Sequence, residues 1–174
     1  MNEVECICVL LEINEQTFIT ASNTAVKGKN RLKFWDINNY EPKKIMDNIS
    51  VNVSPNSACR INENYFIVSV VDFRDHINSG IYLFNSEEMA LVSVIKLNYE
   101  VNCIFSGMDG NLLISGINIA DKNYLLTKWK FNGFNLIPPN NAIYECENEI
   151  SAVFQGKNND IILGIFSSNI SILK

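Results

Sequence analysis

Apolar residues recur at every second position in short runs, and the runs themselves recur along the chain. Ile7, Val9, Leu11 and Ile13 form the first; Val53, Pro55, Ser57, Cys59 and Ile61 the second; Val101, Cys103, Phe105 and Gly107 the third; Ile150, Ala152, Phe154 and Gly156 the fourth. A spacing of two places such residues on one face of a β-strand. The opposite parity carries Leu10, Ala58, Ile104 and Val153 in one column, which predicts strands buried on both faces.

Each run is followed by polar turn residues: Asn14-Glu15-Gln16, Asn62-Glu63-Asn64, Met108-Asp109-Gly110 and Lys157-Asn158-Asn159. A second strand comes next, at 17–21, 65–69, 111–115 and 160–164, ending on small residues that let neighbouring sheets approach. A third follows at Leu32–Asp36, Ile81–Asn85, Leu126–Lys130 and Ile170–Lys174. The first three units add a weaker fourth strand near Lys44–Ile49, Ala90–Leu97 and Asn135–Ile143.

Marker positions such as Trp35, Phe84, Trp129 and Leu173 return at about 44 to 49 residues, the period of four-stranded propeller blades. The expected fold is all-β: one domain over residues 1–174, a β-propeller-like array of about four antiparallel blades. The repeats run at about 1–49, 50–98, 99–144 and 145–174, the last incomplete. A sandwich or barrel would share the turns but needs no long-period repeat. Only Ser86 to Leu91 has helix-forming composition, and it is too short to stand alone.

Leu32-Lys33-Phe34-Trp35-Asp36 resembles the closing strand of a WD-repeat blade, which ends on Trp-Asp. Trp129-Lys130 repeats it without the acid, and Phe84-Asn85 and Leu173-Lys174 are weaker copies. The family's Gly-His pair is absent from every unit, and the only histidine, His76, lies in a different loop, so the His, Ser/Thr, Asp and Trp network of that family is incomplete. The resemblance implies a rigid, non-catalytic disc that holds other proteins. It also implies equivalent burial of Trp35 and Trp129 between adjacent blades.

Composition changes this picture little. Apolar residues are 47% of the 174 and charged ones 19%, a balance that folds. A net charge of −5 disfavours nucleic acid and anionic membranes. No apolar run approaches the eighteen or so residues of a span and the first residues are acidic, so the expected setting is cytoplasmic or nuclear. Cys6, Cys8, Cys59, Cys103 and Cys146, an odd set without a CxxC pair, read as buried free thiols, with no metal or other cofactor implied.

Candidate chemistry is sparse. His76, flanked by Asp72 and Asp75, supports the alternative of a propeller hydrolase or lyase, although no nucleophile motif accompanies it. Lys27, Lys29 and Arg31 form the only cationic cluster and support the alternative of an anionic ligand. The leading expectation is a protein partner held by the long loops between second and third strands, near Ser22–Asn30, Val71–Ser79 and Asn118–Asn123. Its contact residues would be Lys27, Lys29, Arg31, Arg74, Asp75, His76, Asp121 and Lys122. Lys128 falls in the column of Phe34, Leu83 and Ile172, where a charge breaks the apolar rule. The fourth unit stops at its third strand, so the chain is expected to form an open arc, roughly half a larger propeller, completed by a second copy, by a partner chain or by residues missing from a truncated gene.

Overall fold

A computed structural model describes residues 5–24, 30–47, 49, 53–72, 79–107, 110–166 and 169–173. Every regular element among them is a β-strand, and the strands form four antiparallel sheets. Sheet 1 holds β1 (Glu5–Asn14), β2 (Thr17–Thr24), β3 (Asn30–Asp36) and β4 (Pro42–Asp47) in sequence order. Sheet 2 holds β5 (Ser54–Arg60), β6 (Tyr65–Val71), β7 (Gly80–Asn85) and β8 (Ala90–Lys96) in the same order. Sheet 3 holds β9 (Tyr99–Ser106), β10 (Asn111–Asn118), β11 (Tyr124–Phe131), β12 (Leu136–Ile137) and β13 (Tyr144–Cys146). Sheet 4 holds β14 (Ile150–Gln155), β15 (Ile161–Ile165) and β16 (Asn169–Leu173). The chain divides into two compact units, Met1–Leu97 and Asn98–Lys174, each with two sheets.

The fourth strand expected over 135–143 is instead two short strands on different parts of β11. β12 pairs with Lys130–Phe131 and β13 with Tyr124–Leu126. Pro138 and Pro139 fall between them, and a residue without an N–H cannot continue the ladder.

The repeat holds in register. Trp35, Phe84, Trp129 and Leu173 lie opposite Phe18, Phe66, Leu112 and Ile161, and Phe34, Leu83, Lys128 and Ile172 lie opposite Ile19, Ile67, Leu113 and Ile162. A device not foreseen also repeats: the first strand of every sheet has an inserted residue at the same place, Cys8, Asn56, Asn102 or Ser151, and β1 has a second irregularity between Glu12 and Asn14. Each insertion faces a small residue on the second strand, Ala21, Ser69, Ser115 or Gly164. It reverses the alternation, because two residues then oppose one. Ile7 is therefore paired with Ser22 and exposed, while Val9 is paired with Ala21 and buried, where an unbroken period of two would put both on one face.

Each sheet thus has two apolar faces, here called leading (the Trp35 column) and trailing (the Phe34 column). In the first unit the leading face of sheet 2, with Phe66, Val68, Tyr82 and Phe84, packs on the trailing face of sheet 1, with Val9, Ile19, Ala21, Leu32 and Phe34. Phe34 meets Phe66 edge-on at 6.0 Å between centroids, and Phe66 stacks on Phe84 at 5.0 Å. In the second unit Val153, Ile161, Leu163 and Leu173 of sheet 4 pack with Cys103, Phe105, Leu113 and Leu126 of sheet 3.

Two expectations about burial fail together, for one reason. Trp129 is 1% exposed, but Trp35 is only half-buried; and in the column expected to be buried on both faces, Val153 is buried whereas Leu10 is 70% exposed. Trp35 and Leu10 both belong to the leading face of sheet 1, which no sheet of its unit covers. The expectation of buried thiols fails at the edge of that sheet, where Cys6 and Cys8 are exposed, while Cys59 is buried and Cys103 and Cys146 are half-buried.

Replacing Trp129 by Ala should cost about 3–5 kcal/mol in urea unfolding, as large core truncations do, and Trp35→Ala clearly less. Gly116, beside the insertion in β9, has no room for a Cβ, which would meet the carbonyl oxygen of Glu100 and, at 2.7 Å, the ring of Tyr99. Gly116→Ala should therefore lower stability by about 1–3 kcal/mol, read as a shifted urea midpoint.

Candidate functional site

The loops joining second to third strands in the first unit spring from a shared base. The Asn23 amide, at the end of β2, donates to the Ser54 hydroxyl at 3.4 Å, and Ser54 pairs with Val71 at the end of β6. On the other side of the first loop the Asn30 amide donates to the Val53 carbonyl at 3.1 Å. The second loop is closed at its root by the Ser79 hydroxyl, which accepts from the Asp72 amide at 2.9 Å. Side chains and backbone at the root of both loops are thus stitched together across the two sheets. Lys27, Lys29, Arg74, Asp75 and His76 lie outside the described residues.

Arg31 stands beside the first loop, and its guanidinium donates to Asp47 on the adjacent strand at 2.7 Å. In the second unit Asn118–Asn123 is a tight, self-bonded turn. The Asn118 side chain accepts from the Ala120 amide and donates to Asp121, whose other oxygen accepts from the Asn123 amide. Lys122 has φ 63°, the left-handed region, so this turn presents Asp121 and Lys122 to solvent on a constrained backbone. Lys128 is half-buried, opposite Leu113, so it does belong to the apolar column in which the sequence put it.

At the opposite end of the first unit, the short turns enclose a feature the sequence reading missed. An open cleft of about 710 Å³ is lined by Glu12, Glu15, Glu63 and Glu87 together with Lys43 and Arg60. Lys43 is already committed: its ammonium donates to the Gln16 carbonyl and the Thr17 hydroxyl, both at 3.2 Å, and pairs with Asp36 at 3.3 Å. Arg60 likewise donates to the Asn62 carbonyl at 3.2 Å. Glu15 and Glu63 occupy the same place in successive repeats, each after an asparagine whose side chain accepts from the backbone two residues on. That coincidence was the available signal. The arrangement presents carboxylates to a cationic group.

The two tryptophan indoles are hydrogen-bonded in different ways. The Trp35 indole donates to Thr20 on the neighbouring strand at 2.9 Å. Sheet 3 has Ile114 in the place of Thr20, and the Trp129 indole turns to Thr127 on its own strand at 3.0 Å, with the Tyr99 hydroxyl 3.3 Å from that same oxygen. Burial pushes the Tyr99 phenol above its ordinary value, and burial likewise raises the Cys103 thiol. Hydrogen bonds from the Asn38 amide first, and then Lys43, hold the Asp36 carboxyl below its usual range. Among the described residues no group of three or more His, Cys, Asp or Glu is placed to hold a metal ion.

No protein-family model matches the chain, and no curated protein matches it in sequence. Solved structures do. A chain of the mitotic checkpoint complex aligns over 95% of this protein and 48% of its own length, with TM-score 0.65 and 13% identity. The Dos1 propeller aligns over 91% and 38%, with TM-score 0.59 and 13% identity. The complex of KlAtg21 with the coiled-coil of AgAtg16 supplies a third, over 95% and 51%, with TM-score 0.58 and 17% identity. The fold is therefore that of a WD-repeat-like β-propeller, and the chain spans about half the length of these structures or less. Among the described residues no helix is long and apolar enough to cross a membrane.

The two raised groups set a pH limit. A folded state that keeps the Cys103 and Tyr99 protons past their ordinary values of 9.0 and 10.0 has their full contribution to stability below those values and loses it as pH rises above them towards the raised folded-state values. Thermal midpoints should fall across that range and fall less in a Tyr99→Phe/Cys103→Ala variant.

Proposed function

We propose that this protein is a non-enzymatic interaction scaffold that holds a protein partner on the loops between its second and third strands. The observation that carries the reading is the common, hydrogen-bonded root of the first two of these loops, through Asn23, Asn30, Val53 and Ser54. Roots bonded to a packed pair of sheets fix where both loops leave the sheets, and binding residues concentrate on such loops. Two of the similar structures, the mitotic checkpoint complex and the Atg21 complex, are themselves assemblies with protein partners, which supports the same use here. The contact residues assigned are Lys27, Lys29, Arg31, Arg74, Asp75, His76, Asp121 and Lys122.

The experiment is affinity capture followed by quantitative mass spectrometry, with the wild type set against a loop variant (Lys27→Ala, Lys29→Ala, Arg74→Ala, Asp75→Ala) and a cleft variant (Glu15→Gln, Glu63→Gln). Loss of a stoichiometric partner from the loop variant alone, at unchanged melting temperature, is the expected result. Loss from the cleft variant alone would move the site to the acidic cleft and make the partner a basic segment. Turnover abolished by His76→Ala would replace the scaffold with an enzyme. Affinity that collapses with added salt would favour an anionic ligand of Lys27, Lys29 and Arg31.

A further inference from the structure

One buried hydroxyl in the wall of the acidic cleft is left without a partner. Ser86, just past the end of β7, belongs to the lining of the cleft and is 1% exposed. Its Oγ has no hydrogen-bond partner among the described residues. Buried hydroxyls are as a rule paired, because an unpaired one forfeits the hydrogen bonds that it had in water. The repeat itself does not call for a hydroxyl here: register puts Ile37 at the same place in sheet 1 and Phe131 in sheet 3, both apolar. What distinguishes Ser86 is the cleft beside it.

The groups around that hydroxyl define what could pair with it. The Ser86 amide donates to the Asn64 carbonyl at 2.8 Å, which joins the turn carrying Glu63 to the one carrying Glu87. Asn14, Asn62 and Asn85 each accept from the backbone amide two residues on, at 3.0, 2.9 and 2.9 Å, and so fix the turns that bear Glu15, Glu63 and Glu87. Glu12 adds a fourth exposed carboxylate from β1. The two cations of the lining are directed elsewhere, Lys43 to Asp36 and Arg60 to the Asn62 carbonyl. Among the described residues no ion pair joins either of them to these glutamates. Met89, half-buried and packed against the core of the first unit, gives the cleft an apolar wall. An oxygen free to accept, carboxylates that only accept and a thioether wall together complement a donor-only cation on an apolar stem.

We propose that this cleft is a second binding site, which takes a lysine or arginine side chain of a basic peptide segment. The ammonium or guanidinium donates to Ser86 Oγ and to the flanking carboxylates, and the methylene stem lies on Met89, as such stems do on apolar surface. A bare metal ion fits less well, since among the described residues no three of the carboxylates come together to hold one. The volume of about 710 Å³ exceeds one such side chain severalfold and leaves room for the flanking peptide. The proposal is independent of the loop reading, which concerns the other end of the same unit.

The test is fluorescence anisotropy with labelled peptides of alternating glycine and lysine, glycine and arginine, and glycine and norleucine, with spermidine as a competitor. The wild type should bind at least one of the two basic peptides saturably and ignore the norleucine peptide. Ser86→Ala should weaken that binding about tenfold or more, the loss of one hydrogen bond to a charged group. It should melt no lower than the wild type, because it removes an unpaired group rather than a bond. Glu15→Gln with Glu63→Gln should weaken binding as well and reduce its dependence on salt. The loop variant at Lys27, Lys29, Arg74 and Asp75 should bind the peptides as the wild type does, so that the two sites fail separately. Failure of both basic peptides to bind overturns the proposal. So does a Ser86→Ala variant that binds like the wild type, which would leave only diffuse attraction between charges, or one that melts well below it, which would make the hydroxyl structural. Spermidine bound as tightly as the peptides overturns it in favour of a small polycation.

Discussion

A sheet with apolar side chains on both faces is stable in water only when both are covered, and that constraint organises this molecule. Fully burying one large apolar side chain contributes about 1.5–3 kcal/mol, so a bare face forgoes several such contributions at once. Within each unit the solution is the same: the trailing face of one sheet receives the leading face of the next. The Phe34, Phe66 and Phe84 cluster is the sharpest case, an edge-on ring against a stacked pair. Where the pattern meets the first and last sheets it leaves Leu10, Ile170 and Ile172 in water.

Packing in this order also needs the inner strands to come close, and the inserted residue serves that need. Cys8, Asn56, Asn102 and Ser151 each bend the first strand opposite a small residue of the second, and hydroxyls fill the space where one is available. Ser69 accepts from the Ser57 amide at 3.0 Å and donates to its carbonyl at 3.2 Å, while Ser115 donates to the Ile150 carbonyl of the next sheet at 3.2 Å. Those bonds satisfy backbone groups that the distorted ladder would otherwise leave unpaired.

Strand order and register were legible in the sequence because they rest on local alternation and on a repeat seen four times. Trp35, Phe84, Trp129 and Leu173 were aligned from spacing alone, and their partners Phe18, Phe66, Leu112 and Ile161 confirm the alignment. The insertions were not legible, since an alternating run looks unbroken when one residue is looped out of the ladder. Uneven burial of Trp35 and Trp129 was hidden for another reason: exposure depends on the neighbouring sheet, which a residue's own strand does not encode. The acidic cleft escaped because its carboxylates come from turns in separate repeats, and only their coincidence in three dimensions makes a surface. Of the loop residues assigned to partner binding, Arg31 proved to be paired with Asp47 and Asp121 to be bonded within its own turn, both consequences of register rather than of composition.

The central claim is that within each unit the trailing face of one sheet is covered by the leading face of the next, while side chains on the leading face of sheet 1 and the trailing face of sheet 4 stay exposed. Hydroxyl-radical footprinting read by mass spectrometry tests it residue by residue. Phe34, Phe66, Phe84 and Trp129 should stay unmodified, whereas Leu10, Ile170 and Ile172 should be modified and Trp35 should be modified more than Trp129. Protection of Leu10, Ile170 and Ile172, or modification of the first group, would contradict the account.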